Sequence, residues 1–148
     1  MIRTEAEYQE TLRRIKQGKE FAALQREALR SEGFSDEEVE RGMGPLLCFH
    51  AKLAEEVEWY ENVRRRNFAP LRRLSDLGQM LIALRIANGM SQRELAERLG
   101  VSEAMVSRDE RNEYHGITIE RAQRVLDALG ATIVATVEDA APAEALSA

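Results

Sequence analysis

The chain has 148 residues, with 21 basic and 26 acidic side chains, a formal net charge of −5, two histidines and a single cysteine. This length admits one full domain or two small ones, and one cysteine excludes an intrachain disulfide while suiting a reducing compartment. The acidic balance argues against a binder driven by bulk positive charge, and no apolar run approaches the length of a membrane span.

The first residues, Met1 to Tyr8, contain no secretory hydrophobic segment, so the expectation is a soluble cytoplasmic protein. Thr4 and Glu7 form a capping box that launches a helix to about Ser31. Tyr8, Leu12 and Ile15 set its inner stripe; Phe21, Leu24, Ala28 and Leu29 continue it, with a shift near Gly18. Gly33 ends the helix at a left-handed position. Ser35 with Glu38 opens the next one, and Phe34 with Val39 staples that cap. Gly42-Met43-Gly44-Pro45 then breaks the chain, since the residue before proline avoids the helical region and Pro45 suits a first helical position.

From Pro45 a long amphipathic helix is expected to about Asn67. Leu46, Phe49, Leu53, Val57, Tyr60 and Val63 form a seam that wants a partner helix. Cys48 reads as a small core residue on this apolar face, and His50 flanks the seam with no chemistry assigned. Trp59 is either core or interface. Residues 1–69 thus read as a helical hairpin with a small connecting helix, serving as a dimerisation arm or a partner-binding platform. Arg64, Arg65, Arg66, Arg72 and Arg73 cluster before the next unit. They suit flanking phosphates, or a solvated helix end favoured by the macrodipole. Ala69-Pro70 marks the junction, and the short linker lets the halves pack together.

The stretch Ser91 to Glu110 carries the most information. Ser91 and Glu94 form a capping box, Leu95 and Leu99 recur one turn apart, and Ala96 permits close approach of a following helix. Gly100 supplies the turn and Val101 plugs the core from it. Ser102 caps a second helix anchored by Val106, with Ala104, Met105, Ser107 and Arg108 on its other faces. Two short helices folded around a glycine present the second one as a probe for a major groove. The structural alternative is a helical hairpin without a ligand.

Residues of about Leu71 to Gly130 resemble the Cro/cI-type (Xre family) helix-turn-helix domain of transcriptional regulators. Leu77 to Arg85 resembles its first helix, Asn88-Gly89-Met90-Ser91-Gln92 its turn into the second, Val106-Ser107-Arg108 with Glu110 its recognition helix, and Ile117 to Leu129 its closing helices. The resemblance implies a five-helix, lambda-repressor-like DNA-binding domain over residues 70–130. It implies that Gln92 contacts phosphate with its helix N-terminus aimed at the backbone. Glu103, Ala104 and Arg108 fall where the family reads base edges: Arg108 suits guanine, Ala104 a thymine methyl and Glu103 a cytosine amine. Ser107 and Arg111 fall at phosphate positions, and Ser102 and Met105 complete the DNA-facing set. Arg85 and Glu110 match a pair read here as scaffold. Asp109 departs from the family, which places a large apolar residue there; Tyr114 or Ile117 is expected to fill the space. The segment Arg111 to Gly116 also departs from the family's short basic turn, and His115 reads as a turn residue, not a metal ligand.

After Gly130, Ala131 to Glu138 switches to β-branched residues with period two. A lone strand is unstable, so Ile133, Val134, Ala135 and Val137 are expected to pair across a two-fold axis with a second copy. Some antitoxins of the resembled family exchange such a strand. Residues 139–148, rich in alanine, are expected to be a disordered tail.

The sequence therefore leads to a mainly all-α protein: an N-terminal helical hairpin, a helix-turn-helix domain and one dimerisation strand. The expected activity is that of a homodimeric regulator, a repressor on an inverted-repeat operator. Residues 71–130 carry nine basic and nine acidic side chains, so a single module lacks strong nonspecific grip and needs a second copy. The alternative is an antitoxin whose N-terminal helices neutralise a toxin protein; Thr4 to Tyr8 resembles the start of one such group. No phosphate loop and no nucleophile–histidine–acid set can be placed, so neither catalysis, a cofactor nor a metal is expected.

Overall fold

The computed structural model describes residues 1–138. Helix α1 spans Glu5–Ser31. Its start is fixed by the Thr4–Glu7 box, in which Thr4 Oγ1 accepts from the Glu7 amide at 3.2 Å and the Glu7 carboxylate accepts from the Thr4 amide at 3.3 Å. Gly33, at φ +91°, lets the chain reverse. Ser35 and Glu38 close a second box, and helix α2 runs from Asp36 to Arg64.

The expected break at Gly42–Pro45 and the separate connecting helix do not form: α2 passes through Pro45 without interruption. Proline in a helix interior costs about 3 kcal/mol, from one lost hydrogen bond and a ring clash. Gly44 has no Cβ, which removes one of the two clashes that push a pre-proline residue out of the helical region. Val39 and Met43, buried against Ala22, tie α2 to α1 on the N-terminal side of the proline. Each fully buried apolar side chain is worth about 1.5–3 kcal/mol, enough to offset the penalty.

The inner face of α1 also differs from expectation. Thr11 and Ala22 are its buried residues, while Phe21 is 56% exposed, Leu24 67% exposed and Ala28 exposed. The helices meet along small side chains. A Cβ built on Gly18 would lie 2.1 Å from His50 Nε2, so the imidazole rests on bare backbone and the crossing is close. Ala22 shares that face, which turns Phe21 and Leu24 outward. On α2, Leu53, Tyr60 and Val63 are buried, Leu46 and Val57 are partly buried, and Phe49 is exposed. Cys48 is exposed, not a core residue.

The remaining elements are a single 3-10 turn at Leu74–Asp76, then α3 (Leu77–Ala87), α4 (Gln92–Leu99), α5 (Glu103–Arg111) and α6 (Ile119–Leu129). The domain thus has four α-helices and a 3-10 turn where five helices were expected. Between α5 and α6 the chain instead makes a turn with Glu113 and Tyr114 at φ +50° and +53°. The turn docks against α3 at Gly78, where a Cβ would sit 1.9 Å from the Glu113 carbonyl oxygen; only glycine fits.

One core joins both halves. Ile2, Tyr60 and Val63 from the hairpin pack with Leu81, Ile82, Leu95, Val106 and Val125. Arg66 donates to Asn88 Oδ1 at 2.7 Å, and Asn88 donates to the Leu129 carbonyl at 2.8 Å, stitching the end of α2 to α3 and α6. Residues 131–138 take no regular structure, so the expected strand at Ile133, Val134, Ala135 and Val137 is not formed in the single chain. The expected disordered tail, 139–148, lies outside the described residues. Among the described residues no helix is long and apolar enough to cross a membrane.

Candidate nucleic-acid interface

Local chemistry sets the two helices that would meet a duplex. Ser91 Oγ accepts from the Glu94 amide at 3.1 Å, and the Glu94 carboxylate accepts from the Ser91 amide at 2.6 Å. Facing the Ser91 amide first and its hydroxyl second, the Glu94 carboxyl is held below its ordinary acidity range. Leu95 and Ala96 are buried on the inner face of α4. Gly100 ends α4 in the left-handed region, at φ +67°. Ser102 then caps α5, its hydroxyl accepting from the Met105 amide at 3.2 Å.

Helix α5 is held by Val106 and Glu110, both 1% exposed. Its outer surface carries Glu103, Ala104, Arg108 and Arg111, all exposed, with Met105 and Ser107 partly buried at its edges and the exposed Ser102 at its start. Among the described residues neither Arg108 nor Arg111 makes an ion pair; Arg85, by contrast, is committed. The protein therefore presents two free guanidinium groups and two small side chains on one exposed helix.

Glu110 is the pivot of that helix. Arg85 grips it with two bonds, Nε to Oε1 at 2.5 Å and Nη2 to Oε2 at 2.7 Å. Gln92 Nε2 donates to the same carboxylate at 2.7 Å. Arg85 also donates from Nη1 to the Met90 carbonyl at 2.7 Å and from Nη2 to the Arg3 carbonyl at 2.9 Å. A buried ion pair is tolerable only when such extra bonds satisfy both partners. The amide of Gln92 is thus engaged inside the fold, while its backbone N–H remains at the first turn of α4.

Asp109, at the position where an apolar residue was expected, forms an ion pair with Arg121 of α6. Tyr114 occupies the space beside it and is buried. Burial, reinforced by the carboxylates of Glu110 and Asp109, raises its phenol well above the ordinary range. Leucine and valine side chains, Leu99, Val101 and Val125, close the same pocket. The polar substitution at 109 is therefore answered by an arginine twelve residues later, a partner that sequence reasoning did not name.

Other arginines of the expected cluster have separate fates. Arg64 pairs with Glu5 at 3.1 Å and Arg65 with Glu61 at 3.8 Å, Arg66 bonds to Asn88, and Arg72 and Arg73 are exposed. Sequence reasoning also passed over Ile2 and Arg3. The only signal was an apolar residue just upstream of the Thr4 cap, yet Ile2 is buried and Arg3 supplies a carbonyl to Arg85.

Residues 81–134 match the helix-turn-helix family. No curated protein and no solved structure matches the chain.

Proposed function

We propose, on the premise that this chain carries a helix-turn-helix domain of the Cro/cI (Xre) type, that it is a sequence-specific transcriptional regulator. It acts by binding and performs no catalysis. Helix α5 enters a major groove, with Arg108 reading guanine, Ala104 and Glu103 touching neighbouring base edges, and Ser107 and Arg111 holding phosphates. The observation that carries this reading is the exposed outer face of α5, with Arg108 and Arg111 unpaired among the described residues while Glu110 and Val106 lock the opposite face.

Two copies bind together. The support is an apolar hollow of about 440 Å³ beside α6, lined by Leu74, Ile119, Leu126 and Ile133, together with the exposed side chains of Val134 and Val137. Pairing of residues 131–138 between copies covers that surface. Two recognition helices on a two-fold axis require an inverted repeat with half-sites about 34 Å apart, and occupation of such an operator represses its promoter. Sequencing of genomic fragments retained by the purified protein tests this. A shared inverted repeat is the expected outcome; fragments without a common motif overturn the reading.

A second reading is favoured by one observation: Phe21, Leu24, Phe34 and Phe49 are exposed on the N-terminal hairpin. Large apolar side chains left exposed along one helical hairpin offer surface for a protein contact. In this reading the hairpin neutralises a toxin while the helix-turn-helix domain regulates the shared operon. Co-expression with the product of the adjacent reading frame decides it. A stable complex lost in Phe21→Ser and Leu24→Ser variants supports the antitoxin role, and absence of any complex removes it.

A further inference from the structure

The N-terminal hairpin forms one wall of a groove whose other wall is the reading unit. Arg3, Glu5 and Arg64 stand on the hairpin side; Gln92 and Glu103, at the first turns of α4 and α5, stand opposite, across a space of about 360 Å³. The hairpin wall is anchored. Ile2 is 2% exposed in the shared core, and the Arg3 carbonyl accepts from the arginine that grips the recognition helix. The root of the hairpin is therefore held beside the reading unit by the shared core and by this bond.

Within this groove Arg64 is half exposed. Its Cζ lies 5.9 Å from the Tyr60 ring centroid, and its only ionic partner among the described residues is Glu5, at 3.1 Å. Glu5 in turn accepts from the Tyr60 hydroxyl at 3.4 Å. Exposed pairs of this kind hold only weakly, so the guanidinium is readily surrendered to another anion. A duplex seated on α5 passes its backbone across the first turn of α4, where the unpaired amides favour phosphate. The other anionic group of the groove, Glu103, lies on the opposite wall.

We infer that Arg64 is a second, sequence-independent DNA contact: on binding it exchanges Glu5 for a phosphodiester of the strand that runs past α4. This rests on the DNA-binding reading above and extends the interface from the helix-turn-helix domain onto the hairpin. Glu5 sets the threshold, because it competes with the phosphate for the same guanidinium. The nine-to-nine charge balance of residues 71–130 leaves a shortfall in phosphate neutralisation, and Arg64 helps to make it up from outside the module.

The test uses the full chain, the duplex selected by wild-type protein and a scrambled duplex, titrated by fluorescence anisotropy at several salt concentrations. Arg64→Gln is expected to weaken both duplexes by similar factors, about 3- to 10-fold, and to lower the slope of log affinity against log salt by about one per Arg64 in the complex. Arg64→Lys recovers most of the slope, and Glu5→Gln tightens both duplexes. Thermal melts establish that each variant is folded. Unchanged affinity and slope in Arg64→Gln, while Arg108→Ala loses the selected duplex, overturns the contact and leaves the reading head intact. A loss confined to the selected duplex with the wild-type slope also overturns it. Wild-type protein that retains no duplex sinks both proposals.

Discussion

At the scale of single residues, the interface divides into side chains that are free and side chains that are committed. Arg108 is exposed and unpaired among the described residues, so removing it takes away the proposed base contact and leaves the fold alone. Arg108→Ala is expected to cost about 1–3 kcal/mol of binding to the selected duplex, with thermal stability within about 0.5 kcal/mol of wild type. Competition titrations against single-base variants check it; unchanged affinity and base preference would remove Arg108 from the readout. Glu110 is the opposite case. It accepts from Arg85 twice and from Gln92 once, in a site with almost no solvent. Glu110→Gln leaves a buried guanidinium without its counter-charge and is expected to cost about 3–5 kcal/mol of folding stability. Replacing both partners together, Arg85→Met with Glu110→Leu, is expected to cost less than the single change, because no unpaired charge remains. Urea unfolding of the three variants checks the order; a double variant that is the least stable would refute it.

At the scale of elements, local chemistry decides most boundaries and long-range burial decides the rest. The starts of α1, α2, α4 and α5 each follow a side-chain cap readable from a few residues, and Gly100 marks the turn between the last two. Those signals travel with the sequence, which is why the helix-turn-helix unit was legible. Pro45 was misleading because its penalty is local whereas the compensating burial of Val39 and Met43 comes from α1. Phe21, Leu24 and Cys48 were misplaced for a related reason. Apolar periodicity identifies a stripe, but here Gly18 and Ala22 fix which stripe faces the other helix. The Asp109–Arg121 pair was invisible because its partners belong to different helices and only the fold aligns them. Since Pro45 is exposed, Pro45→Ala is expected to stabilise the protein by about 1–3 kcal/mol through the restored hydrogen bond and the relieved clash. A thermal melt that does not rise would show that α2 has adapted to the proline.

At the scale of the whole molecule, the two halves share a core, so the hairpin is not a detachable arm: Ile2, Tyr60 and Val63 pack among residues of the reading domain. What is unfinished lies at the other end. Leu74 on the 3-10 turn, Ile119 on α6, and Val134 and Val137 on the segment after it leave apolar surface, and a neutral reading module gains little from one duplex contact alone. The proposed pairing of two chains through residues 131–138 would answer both, because a second recognition helix then binds at high effective concentration once the first is seated. Ending the chain at Gly130 removes the pairing segment and leaves α6 with its left-handed cap. The truncated protein is expected to remain folded, to sediment with a larger monomer fraction than the full chain at equal concentration, and to bind each half of an inverted repeat no more tightly than an isolated half-site. A truncated chain as dimeric as the full one, binding the operator with unchanged cooperativity, would move the two-fold contact to the N-terminal hairpin, where Phe21, Leu24, Phe34 and Phe49 are exposed.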